Sequence, residues 1–351
     1  MTHVNLSDIT LVLLSYHRQH CLRATLNFYR DTNLNILVLD NSPEPLNRQH
    51  IPANCNYILS KTDFAARSTQ ASLLIDTKYT IIGADDEVYL PKALFEMKCF
   101  LDNHEDYVAV GGNTLAVWRY GNYIAGSWAY KRTFGYHNNE SSPYNRIRKH
   151  TGNGVAPLTF FFTCNLTRSK FAKTCLRSYG QAPVLATDAL SVLTICGGGK
   201  SKYLNTLYWI RNWNQSPRSH KGWDRTVYLH DWWKDPINHD ARSKFEITLN
   251  QIYSEFGDSD SFKESWALIL KSSEAMESRV SNFRFLTRRL NENILIVKIK
   301  FLLKTVFFSA KLPSSSREVL NSMRAAGIDF DEDEAFKAIQ LVSRQIPYKD
   351  W

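Results

Sequence analysis

The sequence predicts an α/β fold with a mostly parallel central sheet, flanking helices and an α-helical C-terminal extension. Over the first 110 residues, short apolar runs of strand length alternate with segments that have the apolar spacing of helices, which is typical of a parallel sheet. After about residue 240, only helical spacing remains. These two observations predict one domain over residues 1–240 and a helical region over residues 241–351.

The strands of the first half are predicted from continuous apolar runs, which indicate burial on both faces of a sheet. Pro91 marks the start of a helix, because proline is favoured in the first helical turn. Residues 112–155 are rich in Gly, Asn and Tyr and are predicted to form long loops. The predicted strands are DITLVLLSY, NILVLDNSP, NYILS, KYTIIGADDE and YVAVGG, and the predicted helices cover residues 18–31, 64–77 and 91–103.

Regular patterns return after residue 155. PLTFFFTCNLTRSKFAKTCL predicts a strand and then a helix, TDALSVLTIC predicts a helix that ends at the glycines 197–199, and SKYLNTLYWIRNW predicts a further strand. Ser315 and Glu318 have the spacing of a capping box, which indicates the start of a late helix. The two helices predicted near the C-terminus cover residues 315–327 and 331–347.

The composition indicates a soluble globular protein. Hydrophobic residues make up 44% and charged residues 22% of the 351 positions. The six cysteines form no CxxC pair, which argues against a disulfide framework or a zinc ribbon and favours reduced thiols. The early apolar run ITLVLL is too short for a signal peptide. We therefore expect a cytoplasmic protein.

The positive charge is concentrated in one late segment. The net charge is +9, and residues 279–311 alone carry eight basic side chains against one acid, Glu292. This clustering argues against a groove for nucleic acid, so no nucleic-acid partner is expected. Lysines interrupt the apolar residues 294–311, which makes them a poor membrane-spanning helix. Two interpretations stay open: a helix packed on the rest of the chain, or peripheral contact with an anionic membrane.

Three consecutive acids, Asp85, Asp86 and Glu87, follow the fourth predicted strand. Ligands of parallel α/β sheets bind at the carboxyl ends of the strands, so these acids lie where a binding site is expected. On an extended chain Asp85 and Glu87 would share a face. A turn after Asp85 would instead let two carboxylates converge on a hard cation such as Mg²⁺ or Mn²⁺. The alternative is an ordinary solvated strand end.

The stretch IIGADDEVYLP resembles the DxD region of GT-A glycosyltransferases, of the inverting type that uses nucleotide sugars. Other segments fall in the order of that family. ITLVLLSYHR resembles its first strand and the turn that grips the nucleotide, and ILVLDNSP resembles its second strand. FAARSTQASLLIDTKYTIIGADDE and ATDALSVLTICGGGKSKYL resemble its later segments. The resemblance covers about residues 8–215, and the order and spacing of the segments carry it.

This resemblance implies an activity and a set of site residues. The chain would move a sugar from a nucleotide-diphosphate donor, a UDP-sugar above all, to a hydroxyl of a glycan or lipid-linked acceptor, with inversion. The cofactor would be Mn²⁺ or Mg²⁺, held by Asp85, Asp86 and Glu87, with His220 as a late further ligand. The contacts to the nucleotide sugar would be Tyr16, Arg18, Asp40, Arg67 and Asp85, and the general base would be Asp188.

Two departures from the family pattern leave alternatives open. The acidic motif is D-D-E rather than D-x-D, so the sequence does not decide which acid binds the metal directly. Thr187 stands where an acid commonly precedes the base, and Asp188 could instead cap the helix that follows it. An inactive relative that acts as a scaffold therefore remains an alternative.

Two further classes of protein fit the sequence less well. A sugar-nucleotide pyrophosphorylase would need a Gly-rich loop and a lysine after the first strand, but SYHRQHCL contains neither. A basic nucleic-acid-binding protein is disfavoured because the positive charge is concentrated in residues 279–311.

Overall fold

The computed structural model describes residues 4–120, 123–130, 134–154, 164–212, 229–256, 261–288 and 314–345. Strands and helices alternate through the first part of the chain, as predicted. The elements are β1 Ile9–Ser15, α1 Gln19–Phe28, β2 Asn35–Asp40, β3 Cys55–Leu59, α2 Phe64–Leu74, β4 Tyr79–Gly83, β5 Val88–Tyr89 and α3 Pro91–Asp102.

The middle of the chain adds the longest strands of the described sheet. Its elements are β6 Tyr107–Tyr120, β7 Tyr123–Ala129, β8 His137–Asn138, α4 Pro143–His150, β9 Leu166–Arg168, α5 Ser169–Tyr179, α6 Thr187–Gly198 and β10 Lys200–Asn212. The last part is mainly helical. It contains α7 Leu229–Lys234, α8 His239–Ser254, α9 Phe262–Arg288, β11 Ser314–Ser315, α10 Ser316–Ala325 and α11 Glu332–Arg344.

The first four strands of the sheet are parallel and stand in the order β3-β2-β1-β4. Parallel strands point the same way, so their carboxyl ends meet at one edge of the sheet. Ser15 at the end of β1 is in register with Asp40 at the end of β2, and Leu13 of β1 is in register with Gly83 at the end of β4. The chain that leaves β4 therefore emerges beside the turn between β1 and α1.

The other half of the sheet combines both strand directions. β9 lies antiparallel to β4 and β6, and β6 pairs in parallel with β10 and antiparallel with β7. β5 and β8 are antiparallel to β10, and β11 is antiparallel to β7. Predominantly parallel pairing thus holds for β1 to β4. The predicted fold class is confirmed: a central sheet is flanked by helices and followed by C-terminal helices.

The prediction of long loops over residues 112–155 is wrong. Strand β6 continues to Tyr120, β7 follows it as a hairpin partner, and α4 begins with Pro143 behind the N-cap Ser142. The glycines that suggested loops are needed for close packing. A Cβ on Gly112 would lie 2.6 Å from the backbone carbonyl oxygen of Thr206, and a Cβ on Gly126 would lie 3.1 Å from Leu115. Glycine in this region marks close approach within a sheet.

The core has two parts, one on each face of the sheet. One part packs β1 and β4 against α1, α3 and the C-terminal helices α10 and α11, while the other part packs α2, α5, α6, α8 and α9. Val319, Met323 and Ile339 belong to the same cluster as Leu11 and Tyr29. Residues 314–345 therefore share the core of the sheet, and the division of the chain at residue 240 stays a prediction.

Two predicted C-terminal features are present in the structure. Ser315 and Glu318 form both hydrogen bonds of the capping box at the start of α10, and Asp331 caps α11 by accepting a hydrogen bond from the backbone of Glu334. Within the described residues, no helix is long and apolar enough to cross a membrane. Residues 157–163, at the start of the predicted segment PLTFFFTCNLTRSKFAKTCL, and the lysine-interrupted apolar residues 294–311 lie outside those residues.

Candidate functional site

The candidate site is the turn that follows β4, at the edge where the parallel strands end. Asp85 and Asp86 form the turn, and Glu87 leads directly into β5. Their exposed fractions are only 2%, 3% and 7%, respectively. The alternative of an ordinary solvated strand end is therefore wrong, because surface acids keep their carboxylates in water.

Asp85 is fixed by neighbours from β1 and α1. Ser15 Oγ donates a hydrogen bond of 2.7 Å to Asp85 Oδ2, and Thr25 Oγ1 donates one of 2.8 Å to the backbone carbonyl of Asp85. The second carboxylate oxygen, Oδ1, is buried and forms an ion pair with the guanidinium group of Arg18. Burial raises the pKa of Asp85 to about 6, while Arg18 opposes the rise and Asp86 adds to it.

Arg18 bridges the first two acids. Its Nη2 contacts Asp85 Oδ1, and its Nη1 lies 3.3 Å from Asp86 Oδ2. Burial of Arg18 disfavours its charge, but the attraction of Asp85 and Asp86 outweighs burial, so the pKa of Arg18 is raised. Burial also raises the pKa of Asp86, against the effect of Arg18. The turn after β4 thus brings two carboxylates together on one cationic side chain.

Glu87 is held by side chains of strand β10. Trp209 Nε1 donates a hydrogen bond of 2.9 Å to Glu87 Oε2, and Arg211 Nε lies 3.1 Å from Glu87 Oε1. The guanidinium of Arg211 also lies 5.3 Å from the ring centroid of Tyr130, within the range of a cation–π contact. Burial raises the pKa of Glu87 to about 8, with Arg211 opposing.

A divalent cation fits two of the three predicted acids. Mg²⁺ needs one or two carboxylates and fills its other positions with water and phosphate oxygens. Asp85 and Asp86 meet that need, because Asp85 Oδ1 and Asp86 Oδ2 already converge on one cationic group, the guanidinium of Arg18. No group of three or more His, Cys, Asp or Glu side chains within the described residues has the geometry of a metal site. His220, the predicted late ligand, lies outside those residues.

The predicted nucleotide contacts lie along the same edge of the sheet. Tyr16 is 39% exposed in the turn between β1 and α1, and His17 beside it has a positive φ of 54°. Such a φ is uncommon for residues other than glycine and often occurs in binding turns. Asp40 is fully buried and accepts hydrogen bonds from Ser42 at 2.7 Å and from Tyr57 at 2.8 Å.

The side chain of Arg67 is buried and donates hydrogen bonds to the backbone of neighbouring strands. It extends from α2 under the strand ends and is 3% exposed. Its Nη1 donates hydrogen bonds to the backbone carbonyls of Ser15, at 2.5 Å, and Leu39, at 3.2 Å. Arg67 therefore ties α2 to the ends of β1 and β2. Its predicted role as a partner of the diphosphate stays a prediction.

Asp188 is the second residue of α6. The N-cap position belongs to Ala186, which makes no side-chain capping bond, so the structure places Asp188 inside the helix rather than at its cap. Burial raises the pKa of Asp188 to about 7. No hydrogen bond or ion pair in the described part of the chain joins Asp188 to the three acids. A pKa near neutrality suits a general base.

Three residues of the site were not predicted from the sequence. Ser15 and Thr25 hold Asp85, and Arg211 holds Glu87. Ser15 ends an apolar strand at the same edge as Asp40, which is a signal that could have been used. Arg211 follows Trp209 by two residues on a strand, and that spacing places both side chains on one face. Thr25 has no local signal, because its contact spans 60 positions in the sequence.

Comparison with known proteins gave similarity in structure only. The chain matches no protein-family model and no curated protein sequence. A crystal structure of S. aureus TarS is similar over 72% of this chain, with 13% identity and a TM-score of 0.43, and this chain spans 43% of its length. A crystal structure of S. aureus TarS 1–349 is similar over 78% of this chain and 91% of its own length, with 12% identity and a TM-score of 0.41.

Proposed function

We propose that this chain is a glycosyltransferase that takes a sugar from a nucleotide-diphosphate donor, preferably a UDP-sugar, to a hydroxyl of a glycan or lipid-linked acceptor. The observation that supports the proposal most is the buried acidic turn at the carboxyl edge of the parallel strands. Asp85 and Asp86 converge there beside Arg18, at the place where α/β sheets bind their ligands. Buried carboxylates in such a position are suited to bind a charged ligand.

The proposed donor site uses the residues around this turn. Arg18 supplies a forked guanidinium that can pair with phosphate oxygens, and Tyr16 and Asp40 lie at the same edge for the nucleoside. Arg67 keeps the ends of β1 and β2 in place beneath them. Asp85 and Asp86 would hold Mn²⁺ or Mg²⁺. Such a cation, when bound, neutralises the negative charge that develops on the leaving diphosphate.

The proposed transfer inverts the anomeric carbon. The acceptor oxygen forms a bond to that carbon while the bond from the carbon to the diphosphate oxygen breaks, and the electron pair leaves with the nucleoside diphosphate. Asp188 takes the proton of the acceptor hydroxyl as general base. Its raised pKa makes the carboxylate more basic than an ordinary surface aspartate.

The proposed location is the cytoplasm, with contact to an anionic membrane through residues 279–311 as a further proposal. Eight basic side chains in that segment would favour an anionic lipid surface. Binding of the intact chain to vesicles of anionic lipid, measured by co-sedimentation, would support the membrane contact. Absence of binding at low salt would remove it.

A binding experiment tests the donor site. Thermal unfolding of the chain is followed with a panel of nucleotide sugars, in Mn²⁺ and in EDTA. We expect a UDP-sugar with Mn²⁺ to raise Tm by several degrees, because a ligand that binds the native state stabilises it. Asp86→Asn should lose most of this gain, while Asp106→Asn, an exposed acid paired with Lys200, should keep it. If no nucleotide sugar stabilises the wild-type chain, the proposed function is wrong.

A further inference from the structure

We propose that Arg18 is an internal counter-ion that occupies the cation site of Asp85 and Asp86, and that it turns to the donor diphosphate when a divalent cation replaces it. This inference rests on the proposed function. Arg18 would neutralise Asp85 and Asp86 when no metal is bound, and it would contact the diphosphate when the metal and the donor are bound.

The position of Arg18 is the first argument. Its guanidinium contacts Asp85 Oδ1 and lies 3.3 Å from Asp86 Oδ2, so it stands between the two carboxylates that would bind a metal. Asp85 Oδ1 is buried, and the contact that neutralises it is the ion pair with Arg18. That oxygen therefore has the electrostatic environment of a ligand atom whose cation is supplied by Arg18.

The second argument is that the two carboxylates are buried and held in place, while the arginine side chain is more exposed. Ser15 and Thr25 hold Asp85 by hydrogen bonds, and the side chains of Asp85 and Asp86 are 1% and 5% exposed. The Arg18 side chain is 26% exposed. Its backbone carbonyl accepts hydrogen bonds from the amides of Cys21 and Leu22. In the proposed exchange, rotation of the partly exposed side chain would carry the guanidinium toward solvent while the backbone stays anchored at the start of α1.

The third argument concerns charge. Two adjacent buried carboxylates without a cation are strongly unfavourable. The ion pair with Arg18 is therefore favoured until another cation replaces the guanidinium. Once displaced, its planar fork matches the oxygens of a phosphate group better than a single ammonium would. Arg18 therefore competes with the cation and cooperates with the diphosphate. Such coupling must be reciprocal in the binding free energies.

The test is a titration with Mn²⁺ alone, in which free Mn²⁺ is measured by electron paramagnetic resonance. Arg18→Gln should bind Mn²⁺ at least about tenfold more tightly than wild type, because the competing guanidinium is gone. Arg23→Gln changes an exposed arginine one turn further along α1 and should leave the affinity unchanged. The double variant Arg18→Gln, Asp86→Asn should lose the gain, which identifies the site.

A second measurement tests the contact between Arg18 and the diphosphate. With Mn²⁺ saturating, Arg18→Gln should bind UDP at least about tenfold more weakly than wild type, because the guanidinium contact is lost. Circular dichroism checks that the variant is folded. If it is not folded, Arg18→Lys carries the test. An ammonium lacks the planar fork that pairs with both carboxylates, so it should give a smaller change in the same direction.

Two results would overturn the inference: Mn²⁺ affinity that is unchanged or weaker in the folded Arg18 variant, or no Mn²⁺ binding in either protein. Failure of the proposed function would give a different experimental result. If Arg18→Gln gains Mn²⁺ affinity as expected but no nucleotide binds either protein, the competition at the cation site stands and the nucleotide-sugar function does not.

Discussion

At the scale of single residues, burial and pairing divide the three acids into two groups. Asp85 and Asp86 share Arg18, whereas Glu87 is held by Trp209 and Arg211 of β10. The sequence predicted that the acids form a site but left open which of them meets a metal. We propose Asp85 and Asp86 as the metal ligands, because a turn after β4 changes the alternation that would have put Asp85 and Glu87 on one face.

Asp188 provides a prediction about activity. Burial raises its pKa to about 7, and a general base must be deprotonated to accept a proton. We therefore expect kcat/KM to rise with pH through about 7 and to level off above it. Asp188→Asn should lower kcat by about 100-fold or more. A pH profile that is flat between pH 5.5 and 8 in wild type would contradict the assignment of this base, and Asp240→Asn, an exposed acid of α8, serves as the control.

The same residue predicts a pH-dependent stability. The folded state of wild type binds the Asp188 proton up to about pH 7, while the unfolded chain releases it near pH 4. The contribution of Asp188 to stability therefore falls as pH rises across this window. Asp188→Asn removes that loss and should raise the free energy of unfolding by about 1–3 kcal/mol at pH 8, with little effect near pH 4. Urea unfolding at both pH values measures the difference, and a loss of stability at pH 8 would contradict it.

At the scale of elements, the parallel strands could be predicted because their apolar runs are continuous. β1, β2 and β4 are buried on both faces, which leaves a strong signal in a single sequence. The hairpin of β6 and β7 could not be predicted in the same way. In the sequence, Gly126 resembles a loop residue. In the fold it packs closely against Leu115 and Ser316, and Ser316 comes from a distant part of the chain.

Arg67 shows how one helix side chain fixes the strand ends that carry the site. Arg67→Ala removes the charged donor to the carbonyls of Ser15 and Leu39 and should lower the free energy of unfolding by about 2–4 kcal/mol, since hydrogen bonds from a buried guanidinium are lost. Urea unfolding measures this, with Arg177→Ala of α5 as a half-exposed control. Unchanged stability together with weaker nucleotide binding would contradict the structural role and favour the role implied by the family resemblance.

At the scale of the whole molecule, the late helices belong to the same core as the sheet. β11 pairs with β7, and α11 contacts α1 through Gln345, whose side chain lies 3.3 Å from Thr25 Oγ1. Thr25 in turn donates to the carbonyl of Asp85. The sequence predicted these helices and the capping box of α10, because capping signals are local. It could not predict where they pack, because that depends on contacts between residues about 320 positions apart.

Release of nucleoside diphosphate from a nucleotide sugar tests the central claim most directly. The chain is incubated with UDP-sugars and Mn²⁺, the products are followed by phosphorus NMR, and the anomeric configuration of the released sugar is read by proton NMR. We predict slow release of UDP with inversion at the anomeric carbon, and a rate at least about 100-fold lower in Asp86→Asn, whose carboxylate would hold the cation. No UDP release from any donor, or an equal rate in Asp86→Asn, would contradict the account.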